Sequence, residues 1–483
     1  LTTFSKLSEI SLTLSEITQT ICSQSHTFYK EFERNETSIL PMEKENNKLL
    51  KLLGLGFGVA VTVGGTIGTG ILRKPGAIAE VIGDPVVIML VWLAVCIYAF
   101  LGVLCAIELG VSMPEAGSWY VYARRAFGKF FGFFTGISNW LGTVTALGFG
   151  AYTVSEYVVL LYPNLEYYIR VVAIALIVVL VLFHLNGTKS AGKSQEIMSF
   201  LKALGLIAFV VVCFGFGGNI DYDALAVTTQ KVERPTLFFG IIVALQAIFY
   251  TFDGWHTAAY FAEENVDPVK SLPKSMIYGI LVIILIYLLV NAAILYVIPI
   301  DILAGSKLAA SDAIRYIFGE DSARVVTIFL MVSILGLMNA QVMFSPRVIF
   351  SMSRDGLFPA FAQKVNASGT PYLGMIFTAS LSVALILMGK EVCAMLSDIA
   401  VFFFVISYIS GFSSLIRLRK TEPDLARPFK VPGYPFIPYL LVICSVLFLV
   451  GAVVQDIRSS LFALVFVVIS YPLYKVITNV SQK

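Results

Sequence analysis

From residue 52 onward the chain is a near-unbroken succession of apolar stretches. They run at about 52–81, 85–113, 128–161, 167–186, 195–217, 236–262, 274–298, 323–353, 372–389, 393–416, 435–454 and 459–478, or about twelve in all. A bilayer core of roughly 30 Å takes about 20 residues of helix. Backbone amides and carbonyls in lipid must be satisfied within the segment, so these stretches are predicted to be membrane-spanning helices. Barrel strands would be shorter and would alternate apolar with polar residues. Composition agrees: 58% of the 483 residues are hydrophobic and 13% are charged. A soluble domain carries about a quarter charged residues, so an ordinary soluble enzyme is excluded. A disordered chain is excluded too, since it needs low hydrophobicity and high charge.

The net charge of +3 is too small to imply a nucleic-acid partner. The placement of the charges says more. Basic residues gather in alternate loops: Arg124, Arg125 and Lys129; Lys189 and Lys193; Lys270 and Lys274; Arg354 and Lys364; then Arg417, Arg419, Lys420, Arg427 and Lys430. The intervening loops are poorer in them. This is the positive-inside pattern of a multi-pass protein of the cell membrane with both termini cytoplasmic. Residues 1–45 are polar, rich in Ser, Thr and Glu, and expected to be disordered. They lack the basic start and apolar run of a signal peptide. The first methionine, Met42, is a candidate start of translation, which would make the upstream part non-native; a flexible cytoplasmic tail is the alternative. Five of the six cysteines lie within apolar stretches, none forms a CxxC pair, and there are three histidines. That leaves little material for a metal site, and no cofactor is expected.

Two spans look broken. The first reads Val63-Gly64-Gly65-Thr66-Ile67-Gly68-Thr69-Gly70-Ile71. Glycines at Gly68 and Gly70 fall on different faces of a helix, so a packing seam explains them less well than an unwound stretch. The sixth places Asp253, Gly254 and His256 in the apolar run Phe249-Tyr250-Thr251-Phe252 onward. An acidic side chain at that depth is costly unless paired or facing water. Spans one and six are equivalent positions of two five-helix halves, about 52–217 and 236–416, with about 435–478 peripheral. Discontinuous helices at equivalent positions are the pattern of inverted-repeat transporters with a midplane site. The start of a second half-helix offers free amides and a positive dipole end to a carboxylate, and the freed carbonyls accept an ammonium group.

These motifs resemble those of the amino acid–polyamine–organocation (APC) family of permeases, over about residues 50–480. Gly68-Thr69-Gly70-Ile71 is similar to the family's first-span motif. Glu108-Leu109-Gly110, Pro114, Ala116-Gly117 and Trp119-Tyr120-Val121-Tyr122 resemble the signature after the second span. Phe252-Asp253-Gly254-Trp255 with Glu263-Glu264 resembles the sixth-span motif, and Asn339, Arg347 and Arg354-Asp355-Gly356-Leu357-Phe358-Pro359 the end of the eighth. Ser118 departs from the pattern, standing where a second glycine is usual. The resemblance implies an all-helical, LeuT-like fold of two inverted five-helix repeats within residues 46–483. It implies an amino acid substrate whose carboxylate meets Gly68, Thr69 and Gly70. The α-ammonium would meet carbonyls about Thr66, Ile67, Tyr250 and Asp253, beside Gly254, with Tyr250 as gate and Phe252 as fallback. It also implies that Lys202, in the fifth span, takes the place of a sodium ion. Sodium-independent transport follows, by proton coupling or exchange.

Several residues keep two readings. Glu108 pairs with a loop arginine or takes part in coupling. Asp253 meets substrate by its side chain or only by its backbone. His256 is a packed polar group or a proton relay. Asn339 joins helices or lines the side-chain pocket. Arg73 and Lys74 follow the first break and are placed in the outer vestibule. A polyamine or cationic-amine exchanger would want several acidic groups, and only Asp253 and Glu108 are candidates. A transporter-like amino acid sensor would bind without exchanging. No paired aspartates, HExxH, or GxS with His appears at matching depth to mark an intramembrane enzyme, no pore ring marks a channel, and nothing marks an oligomeric state.

Overall fold

The computed structural model describes residues 48–68, 70–220, 234–319, 322–455 and 457–481. The 1–45 segment with Met42, Thr69 and most of the 221–234 loop lie outside the described residues, as does the side chain of Asp398. Among the described residues the regular elements are helices, joined by short loops. The first span is α1 (Leu55–Thr66) and α2 (Gly70–Val81). Asp84 caps α3 (Pro85–Ser112), its carboxylate accepting from the amides of Val86 at 2.7 Å and Val87 at 3.1 Å. Then come α4 (Trp119–Phe127), α5 (Lys129–Leu161), α6 (Ile169–Leu185) and α7 (Thr188–Phe216). The second half opens with α8 (Leu237–Phe252) and a 3-10 helix at Thr257–Glu264. It continues with α9 (Pro268–Val297), α10 (Ile300–Leu303), α11 (Ala309–Phe318) and α12 (Ala323–Arg354). Last are α13 (Tyr372–Met388), α14 (Lys390–Thr421), α15 (Phe436–Gln455) and α16 (Ile457–Ser481).

Among the described residues, eleven helices are long and apolar enough to cross a membrane. Eleven of the twelve expected spans have such a counterpart. The ninth, α13, is shorter, with 17 residues between Pro371 and Gly389, whose φ of +109° stops the helix. Two short helices, α4 and α11, occupy stretches read from sequence as loops. The core sits where α5 packs on α12 and α14, while α1 lies against α7 and α9 and α2 lies against α8.

Glu108 shows how a charge is kept inside. It is 1% exposed on α3, and its carboxylate accepts from Arg419 Nε at 2.7 Å, Arg419 Nη2 at 2.5 Å and the Val431 amide at 2.6 Å. Arg427 Nε lies 3.5 Å away. The group ties α3 to the end of α14 and the following loop: it pairs with arginines and is not among the residues lining the cavity described below. Glu108→Ala is expected to cost about 3 kcal/mol or more, because it leaves buried guanidinium charge uncompensated. Thermal unfolding in detergent measures this, and the apparent KM for transport in the surviving protein should stay unchanged. Nearby, Arg125 of α4 grips Glu422 with a bidentate bond and holds its carboxyl below the usual carboxylate range.

Candidate functional site

Thr66 is the last residue of α1, and Ile67 is extended (φ −73°, ψ 101°). A helix end leaves its last carbonyls without partners of their own, and the next helix starts with unpaired amides. The carbonyls at this break are taken up from outside. Lys202, fully buried on α7, sets its ammonium 3.0 Å from the Gly64 carbonyl and 2.8 Å from that of Ile67. Ser333 Oγ of α12 reaches the Gly68 carbonyl at 3.4 Å. The amides at the start of α2, from Gly70 on, have no acceptor within their own helix.

The second break is built against the first. After α8, Asp253 turns to φ −55°, ψ 141°, and Gly254 has φ +104°. A Cβ on Gly254 would lie 2.2 Å from the Gly65 carbonyl oxygen. The hydroxyl of Tyr287 on α9 spans both breaks, 3.2 Å from the Thr66 carbonyl and 3.0 Å from that of Thr251. The start of α2 is packed as closely, since a Cβ on Gly70 would meet Thr251 Oγ1 at 2.7 Å.

Between the breaks lies a cavity of about 1070 Å³. Gly65, Thr66, Gly68 and Gly70 line it from the first break; Tyr250, Thr251, Asp253, Gly254 and His256 line it from the second. Asn139 and Thr143 of α5 and Leu337 and Gln341 of α12 also line it, as do Arg73, Lys74, Glu80 and Ala304 to Lys307, of which Arg73, Glu80, Gly305 and Lys307 are exposed and mark the mouth. The Asp253 carboxylate accepts a hydrogen bond from the Tyr408 hydroxyl of α14. Tyr260 donates to Asn139 Oδ1 at 2.8 Å, and His256 Nε2 lies 3.2 Å from the same hydroxyl.

The amino acid permease family model matches residues 54–471. The chain belongs to that family. Among relatives, the permease is 28% identical to the serine/threonine exchanger SteT of Bacillus subtilis over 444 residues, covering 90% of this chain and 98% of that one. It is 29% identical to the branched-chain amino acid permease BcaP of Bacillus subtilis over 437 residues, 85% of this chain and 90% of that one. It is 27% identical to mouse large neutral amino acids transporter small subunit 2 over 409 residues, 81% of this chain and 75% of that one. The permease is therefore a multi-pass membrane transporter for amino acids and not an enzyme.

The permease places the expected site residues unevenly. Thr66, Gly68, Gly70, Tyr250, Asp253 and Gly254 line the cavity. Thr69 lies outside the described residues. Ile67 does not line the cavity, and its carbonyl is held by Lys202 instead of being free for an ammonium group. Phe252, 2% exposed, turns away to pack on Tyr287 and Trp92, at ring centroid distances of 4.7 and 6.2 Å. Asn339 faces α7, donating to Gln195 Oε1 at 2.6 Å and accepting from Ser194 at 3.3 Å; it joins helices and is not part of this cavity's lining. Sequence reasoning missed Tyr287 and Tyr408, single tyrosines in apolar spans that nothing in their surroundings singles out.

On the opposite side from the mouth, the lining stops short of Glu264. There Arg347 of α12 forms a bidentate pair with Glu264, with Nη2 to Oε2 at 2.7 Å, and both side chains are at most 3% exposed. The Leu52 and Leu53 amides donate to the Glu264 carbonyl at 3.0 Å. Arg354 holds Glu263 at 2.8 Å, and Arg124 and Tyr120 hold Asp355 at 2.7 and 2.6 Å. This end of the molecule is bolted across α1, α4, the 3-10 helix and α12.

Proposed function

We propose that the permease is a sodium-independent exchanger of neutral amino acids that works by alternating access, with the two breaks as its substrate site. The observation that carries this reading is Lys202. Its ammonium occupies a carbonyl-lined position at the first break, where a free cation would otherwise be needed to hold Gly64 and Ile67 in place. The substrate carboxylate sits on the amides of Gly68 to Gly70, at the positive end of α2. The α-ammonium takes the carbonyls of Tyr250 and Asp253 and shares that of Thr66 with the Tyr287 hydroxyl, while that of Ile67, outside the lining and held by Lys202, leaves the set. Tyr250 closes over the ligand. The two halves form a LeuT-like inverted repeat, and the basic loops and both termini face the cytoplasm. The mouth at Ala304 to Lys307 is then extracellular, and the Glu264–Arg347 pair is the closed inner side. Exchange rather than one-way uptake draws on the likeness to SteT.

The test is counterflow. Proteoliposomes loaded with unlabelled neutral amino acids should take up the labelled one equally in sodium and in choline buffer. Stimulation by sodium of several-fold would overturn the reading. Ligand-induced thermal stabilisation without any exchange would make the protein a sensor instead.

A further inference from the structure

The mouth of the cavity carries mainly one sign of charge. Among the described residues its ionisable lining consists of Arg73, Lys74 and Glu80 on α2 and Lys307 on the turn before α11, three cations against one anion. Two separate elements contribute the cations, which places them around the opening instead of along one helix face. Arg73 stands about one turn beyond Gly70, so it adds to the positive end of α2. Deeper in, the one acidic side chain of the lining is Asp253, and its carboxylate is engaged by the Tyr408 hydroxyl. A cleft with low-dielectric walls and one dominant sign of charge focuses its field on whatever enters.

We propose that Arg73, Lys74 and Lys307 form an electrostatic filter that admits zwitterionic amino acids and disfavours those with a cationic side chain. A zwitterion carries no net charge through the collar, whereas a substrate with a second ammonium group carries a full positive charge through it. The filter rests on the exchanger reading above and specifies its substrate class. It acts through the field these cations set up inside the cavity, so it weakens the binding of a cationic ligand as well as its entry, without touching the groups that bind the ligand.

The experiment compares two near-isosteres that differ in charge, homoserine and 2,4-diaminobutyrate, as inhibitors of counterflow of a labelled neutral amino acid. Wild type, Arg73→Gln, Lys307→Gln and the double variant are reconstituted side by side. In the double variant the inhibition constant of diaminobutyrate should fall about three- to tenfold, while that of homoserine stays within about twofold. Raising salt from about 50 to about 500 mM should lower the diaminobutyrate constant of wild type in the same direction. Constants that move together, or do not move, overturn the filter. If wild type shows no counterflow, the exchanger reading fails separately. Thermal stabilisation by the same two compounds then still reads the filter through the same pair of constants.

Discussion

Uptake should fall at least tenfold when Lys202 is replaced by methionine, which keeps most of the stem and removes the ammonium group. Lys202 is fully buried and is the donor to the Gly64 and Ile67 carbonyls at 3.0 and 2.8 Å. Each buried acceptor left without a partner costs about 1–3 kcal/mol, so with two of them the fold should lose about 2–6 kcal/mol as well. The two losses are separable: thermal unfolding reads the second, and counterflow per folded molecule reads the first. There is little room for rearrangement, since a Cβ on Gly336 of α12 would already lie 2.6 Å from Lys202 Cε. Lys202→Ala vacates that space. If the ammonium stands in for a cation, sodium at about 100 mM should raise the melting temperature of this variant and not that of wild type, by mass action. Undiminished uptake in the methionine variant would remove Lys202 from the transport cycle.

Gly254→Ala should be nearly as damaging, for a different reason. The residue has φ +104°, where an L side chain is strained, and the added Cβ would fall 2.2 Å from the Gly65 carbonyl oxygen and 2.7 Å from its carbon. Both obstacles are backbone, so neither can swing aside. Relief requires separating the two breaks, and with them the two halves of the proposed ligand site. Transport is expected to drop at least tenfold, with a stability cost of about 1–3 kcal/mol. Gly215→Ala on α7 is the control, since a Cβ there meets nothing within 4 Å. It should be neutral or slightly stabilising, as Ala is the better helix former. Equal activity of the two variants would show that the contact between the breaks is dispensable.

The spans were legible because twenty consecutive apolar residues have few other fates, and the positions of the breaks were legible because glycines and an aspartate are costly there. What could not be read was direction. Around a break the helical phase is lost, so the sequence does not say which way Ile67, Phe252 or a neighbour points. Asn339 lies on an unbroken helix, yet a polar residue there serves a helix seam as well as a pocket, and only packing decides. The ionic motifs show the same limit from another side. Glu263-Glu264 and Arg347 through Asp355 stand out as separate signatures, but Arg347 and Glu264 are 83 positions apart, and no spacing rule joins them. In the fold they become one assembly. The short helices α4 and α11 were lost among loops because they are too brief to show a periodic pattern.

A cation fixed to the chain has a thermodynamic consequence. A dissociable ion that crosses with the substrate brings the free energy of its own gradient to the cycle, and so allows uphill accumulation. The Lys202 ammonium returns with the protein on every cycle and is never released to either compartment. While it keeps its proton it can order the binding site but perform no osmotic work. In the exchanger proposed above, the ratio of substrates across the membrane is then set by the amino acids on the two sides. The cell would concentrate one of them only at the expense of another.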